Sequence, residues 1–161
     1  MRFVARTGRS VVIATLLLTA VSCTSDDGPE RDAEGAVVTG GSLEAADLRV
    51  GDCFNGSEGE AVTTVDVVPC GDEHEFELYH RFDLPDGDYP GSEALEDRWL
   101  QGCLAEFEAF VGVSFDESML DISGIIPTER TWTELDDREV LCSVTPLDDS
   151  PLVGSVRGTL R

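Results

Sequence analysis

Five cysteines, two histidines and a run of turn aspartates are the residues in this chain whose types and spacing could do chemistry. The cysteines are Cys23, Cys53, Cys70, Cys103 and Cys142, and the histidines are His74 and His80. Cys70 and His74 stand at a tolerable metal-ligand interval, with Cys53, His80 and Cys142 available to complete a set. Zinc sites usually show paired short spacings such as CxxC, and none occurs here. Either histidine could serve as a general base. A serine hydrolase would also need its nucleophile in a sharp turn, and there is no GxSxG. Asp83, Asp86 and Asp88 share one turn and invite a calcium reading, but the segment lacks the alternating register and distal bidentate glutamate of a calcium loop. The chain has no lysine, which removes P-loop, Schiff-base and lysine-base chemistry together. No catalytic residue, metal or cofactor is therefore expected.

The first cysteine is better explained by position. Arg2, Arg6 and Arg9 precede an uncharged, mostly apolar run from Val11 to Ala20, and the small residues before Cys23 complete the layout of a secretory signal. That run is too short for a comfortable membrane span, which needs about twenty residues. A cysteine directly after Ser22 resembles the bacterial lipobox, whose sulfur receives diacylglycerol before cleavage. Acyl chains contribute about 0.8 kcal/mol per buried methylene, so two or more hold a protein stably at a bilayer. Residues 1–22 are thus expected to be a signal peptide. Residues 23–41 are expected to be a lipidated cysteine with a polar, Gly-rich tether spanning roughly 25 Å, and residues 42–161 one extracytoplasmic domain.

Lipidation of Cys23 leaves four cysteines in an oxidising compartment, an even set that reads as two disulfides. Local patterns choose between the three pairings. From Ser92, read as the cap, to the stop at Gly112, the residues Leu95, Trp99, Cys103, Phe107, Phe110 and Val111 recur at helical spacing. Cys103 lies within that buried stripe. Val140, Cys142 and Val144 alternate along a strand and put Cys142 on its inner face. A helix-to-sheet bond between Cys103 and Cys142 follows, leaving Cys53 to pair with Cys70.

The remaining elements are strands. Residues 62–68 form a short one. Residues 74–84 alternate, with Phe76, Leu78, His80, Phe82 and Leu84 on the inner face. Further strands cover Leu120 to Ile126 and Glu139 to Thr145. The expected fold is α+β: a mainly antiparallel sheet covered on one face by one long helix, with two disulfides. Trp132 falls in a segment read as a loop. With Asp86, Asp88 and Tyr89 of the turn before the helix, it forms the candidate partner-contact set.

Charge narrows the partners. The chain carries −22 overall. Three of its eleven arginines precede Cys23, so the remainder sets eight against thirty-three acids, a net of −25. Such a surface repels nucleic acid and anionic lipid headgroups.

Several strings, in order, resemble the actinobacterial septum-formation family. They are Val50-Gly51-Asp52-Cys53-Phe54-Asn55, then Val68-Pro69-Cys70 with His74-Glu75, Tyr89-Pro90-Gly91, Cys103, and Phe110-Val111-Gly112. They continue as Pro127-Thr128-Glu129 with Trp132, Asp137-Arg138, Val140, Cys142, Gly154-Ser155 and Arg157-Gly158. The resemblance implies a small extracytoplasmic domain tied to division and the cell envelope, without an assigned activity or cofactor. The expectation is a non-catalytic envelope lipoprotein. It would sit at the membrane through Cys23, bind an envelope protein or cell-wall partner, and not bind nucleic acid. The alternatives are an extracytoplasmic ligand or cation sensor and a hydrolase.

Overall fold

The computed structural model describes residues 28–56 and 62–160. The expected signal peptide and Cys23 lie outside the described residues. In chain order the elements are β1 (Glu30–Arg31), β2 (Val37–Thr39), β3 (Gly41–Glu44), β4 (Cys53–Asn55), β5 (Thr64–Val68), β6 (Glu73–His74) and β7 (Phe76–Asp83). They continue with α1 (Ser92–Val111), β8 (Leu120–Ile125), α2 (Glu129–Glu134), β9 (Glu139–Pro146) and β10 (Leu152–Val153). Six strands make one antiparallel sheet in the order β3-β5-β4-β7-β9-β8, and β1-β2 and β6-β10 form two small antiparallel ribbons. The fold is mixed helix and antiparallel sheet with two disulfides, joining Cys53 to Cys70 and Cys103 to Cys142. The expected picture of one sheet under one helix is too simple, because two ribbons and a second helix are added to it.

A further departure, within β7, traces to one residue. β7 and β9 pair as Leu78 with Ser143 and His80 with Cys142, so Tyr79 is an extra residue, a bulge in β7. Because side chains alternate with period two, one inserted residue reverses the faces on either side of it. His80 and Phe82 lie across from Cys142 and Val140 on the α1 side, whereas Leu78 turns to the opposite face. The uniform inner face expected for residues 74–84 is therefore split at Tyr79. The sheet carries a core on each face. Tyr79, Leu84, Val140, Cys142 and Val144 pack with Leu95, Cys103, Phe107, Phe110 and Val111 of α1. On the other face Leu78 and Leu141 pack with Phe54, Val65, Val67, Ala45 and Leu48, and both edge strands contribute, through Leu43 and Ile125.

The bulged Tyr79 hydroxyl donates to the Cys103 carbonyl (2.7 Å), tying sheet to helix beside the second disulfide. Burial, reinforced by the Glu106 carboxylate, pushes this phenol well above the ordinary tyrosine range. With the folded value raised, the stability it contributes is complete below the unfolded value of about 10 and declines as pH rises past it. Unfolding free energy is thus expected to fall above about pH 10. Tyr79→Phe should lower stability at neutral pH and flatten that alkaline decline. Denaturant titrations across pH check both.

Glu77, off the inner face expected for residues 74–84, is fully buried by the same reversal of faces. Its carboxylate accepts from the Ser155 hydroxyl (2.6 Å) and the Val156 amide (2.7 Å), anchoring the C-terminal strap that continues to Gly158 N donating to Phe110 O. Glu77→Ala would strand a buried N–H and should cost about 3 kcal/mol. Hydrogen exchange should also quicken at residues 154–158. Unchanged protection there would mean that the strap is held by other contacts.

The N-terminal side corrects a second expectation. A tether without structure as far as Gly41 does not describe residues 30–39, which form the β1-β2 ribbon. Arg31 makes two bonds to the buried Asp52 carboxylate (2.6 and 2.7 Å), which also accepts from Arg49 N. A charge-assisted, two-pronged contact of this kind fixes the ribbon against the domain, and composition alone does not announce it.

Candidate functional site

Of the four sequence-predicted contact residues, Trp132, Tyr89 and Asp86 come together around Arg138, and Asp88 does not. Thr128 and Thr131 form a reciprocal cap. The Thr128 hydroxyl accepts from Thr131 N (3.1 Å), and Thr128 N donates to the Thr131 hydroxyl (2.9 Å). This closes the start of α2 in a segment read as a loop. The signal was present as Thr-x-x-Thr after a proline, but six residues are too few to show a helical stripe.

The short helix buries Trp132, which is 3% exposed and belongs to the main core. Trp132 is therefore corrected from a surface contact to an internal post. Its indole N–H donates to Gly87 O (2.9 Å), pinning the turn of residues 84–91, and the Tyr89 ring meets it edge-on at 6.1 Å. Arg138 lies over the indole ring at 3.9 Å. The Arg138 guanidinium donates to Trp132 O (3.0 Å) and Asp137 O (2.8 Å) and pairs with Asp136 (2.9 Å). Asp86 stands 3.8 Å from the same group, its side chain almost wholly exposed. The acidic turn thus already faces a fixed cation. It offsets part of the negative charge gathered by Asp83, Asp86 and Asp136. Asp88 is exposed and does not join this cluster.

Beside this post lies a cleft of about 480 Å³ between the start of α1, the end of β8 and α2. Leu95, Ile125, Ile126 and Pro127 supply apolar wall, and Tyr89, Ser92, Thr128 and Thr131 supply hydroxyls. Ser92 is the first residue of α1 rather than its cap. Gly91, at φ 92°, takes the cap position, and the Ser92 hydroxyl lies 3.2 Å from that of Tyr89. Gly124 closes the floor, since a Cβ there would collide with the Trp99 indole nitrogen and stand 2.8 Å from Leu141 O. Trp99 packs against the main core, as its helical spacing predicts.

The groups that could have done chemistry lie elsewhere. His74 is buried in β6 with Nδ1 2.9 Å from Asp72 O, and His80 is stacked on Phe82. Neither lines the cleft. Cys53, Cys70 and Cys142 are held in disulfides, so the sulfurs of the conjectured metal set are not thiolates. Cys53 and Cys70 also lie close to Glu77, but that carboxylate is engaged by the strap.

A family model described as septum formation matches residues 50–161. An uncharacterized membrane protein from two strains of Mycobacterium tuberculosis is 29% identical over 118 residues, 66% of this chain and 26% of the relative. The chain therefore spans about a quarter of the length of the curated relatives it matches. No solved structure matches the chain significantly. Among the described residues, no helix is long and apolar enough to cross a membrane.

Proposed function

The chain belongs to the septum-formation family, and from that premise we propose that it is a non-catalytic binding module of the cell envelope, held at the extracytoplasmic face of the membrane by lipid on Cys23. The ligand is an envelope protein or cell-wall component connected with septation, engaged by the cleft between α1, β8 and α2. The observation that carries this reading is the construction of that cleft. A buried tryptophan, a reciprocal threonine cap and a fixed arginine hold in place a wall of apolar groups and hydroxyls. Preorganised walls of this mixed character suit recognition, because little ordering entropy is lost on binding. The placement of His74 and His80 away from it supports a binding role over hydrolysis. The membrane relatives support a module used beside a bilayer, attached there as part of a much longer chain.

The test combines location with the cleft rim. A fluorescent fusion of the full chain should concentrate at the division site, and Cys23→Ser should release it from the membrane fraction. Exposed rim substitutions Glu129→Ala and Arg130→Ala should abolish septal enrichment while leaving membrane retention intact. Uniform distribution of the unaltered chain would end the septal reading. Retention of Cys23→Ser in the membrane would end the lipid anchor.

A further inference from the structure

At the other end of β8 from the cleft, three strongly exposed apolar side chains meet at one groove. Met119 is 74% exposed, Leu147 61% and Leu160 69%. They come from the start of β8, the end of β9 and the C-terminal strap, and line a groove of about 530 Å³ with Leu120, Pro146 and Pro151. Isolated exposed leucines need no explanation, but a cluster assembled from three separate segments does.

The rim of this groove has one sign. Glu117 and Asp148 line it, with Asp116 and Asp149 adjacent in the chain, and no basic residue does so among the described residues. Both lining carboxylates are held in place. Asp148 accepts from the Ser150 hydroxyl (2.6 Å) and amide (3.2 Å), and Glu117 accepts from the Ser114 hydroxyl (3.0 Å). The Ser150 bonds also keep the Asp148 carboxyl below its ordinary range.

The neighbouring sheet edge has its outward N–H groups engaged at the groove end. Leu147 N donates to Met119 O, which by antiparallel alternation directs the N–H groups of Leu120 and Ile122 away from β9. The first donates to the Ser118 hydroxyl (3.0 Å) and the second to the Asp121 carboxylate (2.8 Å). This disfavours main-chain pairing beside the groove and favours a partner held by side chains in it.

We propose that the groove formed by Met119, Leu147 and Leu160 docks an apolar peptide segment flanked by lysine or arginine on a protein partner. The apolar floor supplies the contact area and the fixed acidic rim supplies orientation and rate of encounter. A second copy of this chain would set one acidic rim against another, and anionic lipid is repelled by the same charges. This surface is separate from the cleft, and its occupancy stands or falls independently of the septal reading.

The test uses the full chain in nanodiscs of zwitterionic phosphatidylcholine. The probe is a fluorescent synthetic peptide with a leucine–phenylalanine–leucine centre and two lysines on each side. Control peptides carry glutamate flanks or a serine centre. The lysine-flanked peptide should bind at least about tenfold more tightly than either control, and its affinity should fall with added salt. Met119→Ser with Leu147→Ser, both on exposed side chains and so expected to be fold-neutral, should weaken binding by about tenfold or more. Glu117→Gln with Asp148→Asn should remove most of the salt dependence. Equal binding of the lysine- and glutamate-flanked peptides, or an unchanged affinity in the serine double variant, would overturn the proposal. So would sedimentation showing that the groove pairs two copies, or binding to phosphatidylglycerol vesicles that the serine variant abolishes.

Discussion

Trp132→Ala should lower the unfolding free energy by about 3–5 kcal/mol, the range for deleting a buried tryptophan. The indole is enclosed in the main core, and three independent contacts end on it: the bond to Gly87 O, the Arg138 guanidinium and the Tyr89 edge. Alanine leaves a cavity, removes the anchor of the 84–91 turn, and uncovers a guanidinium whose side chain is only 13% exposed. Trp132→Phe retains much of the ring volume while losing the N–H donor, so its loss should be visibly smaller. Urea titration with the disulfides intact measures both. A loss of under about 1 kcal/mol for alanine, the value expected of a surface position, would contradict the internal placement. The distinction matters for function. An alanine variant that abolishes binding would report damage to the cleft's support, so binding tests belong on exposed rim residues such as Glu129 and Arg130.

The second large effect concerns the cross-links. Cys103–Cys142 closes a sequence separation of 39, and Cys53–Cys70 one of 17. In the chain-entropy account these stabilise by about 4 and about 3 kcal/mol respectively. Against a typical domain stability of about 5–15 kcal/mol, either is a large share. The paired variant Cys103→Ala with Cys142→Ala should therefore be the more damaging, because it releases the longer loop and opens the interface between α1 and the sheet. Cys53→Ala with Cys70→Ala should be milder and should loosen the C-terminal strap, since Gly154 N donates to Cys70 O (2.6 Å). Equilibrium unfolding of the two double variants gives the order directly. A reversed order would show that native packing around Cys53, rather than loop closure, governs the first bond's contribution.

Much of the framework was legible in residues alone, for local reasons. Twenty residues with apolar side chains at helical spacing and a glycine at the end specify α1, and Gly112 does adopt the left-handed stop, at φ 94°. The placement of Cys103 on that stripe and Cys142 on the parity of β9 pointed to the pairing that the structure has, because a buried helix face and an inward strand face can meet across the core. The family was legible too, since its short strings recur in order over most of the domain.

Other features depended on where distant segments come to rest. Nothing in residues 74–84 marks Tyr79 as a bulge, because an inserted residue is defined by its partner strand and not by its own type. The burial of Glu77 follows from that bulge together with a strap 78 residues away in the chain. Arg31 and Asp52 are ordinary charged residues until a ribbon brings them within bonding distance. Trp132 reads as a loop aromatic because its helix has only six residues, held by threonines and by an arginine six residues on.

The chain by itself determined its long helix, its four longest strands and its family, and pointed to its cross-links, since each is written in periodicity or in order along the sequence. Tertiary structure alone decided which polar groups are buried and which apolar groups remain outside. Burial is a property of converging segments: Glu77 is taken inside by the strap, and Met119, Leu147 and Leu160 are left outside together at one end of the sheet.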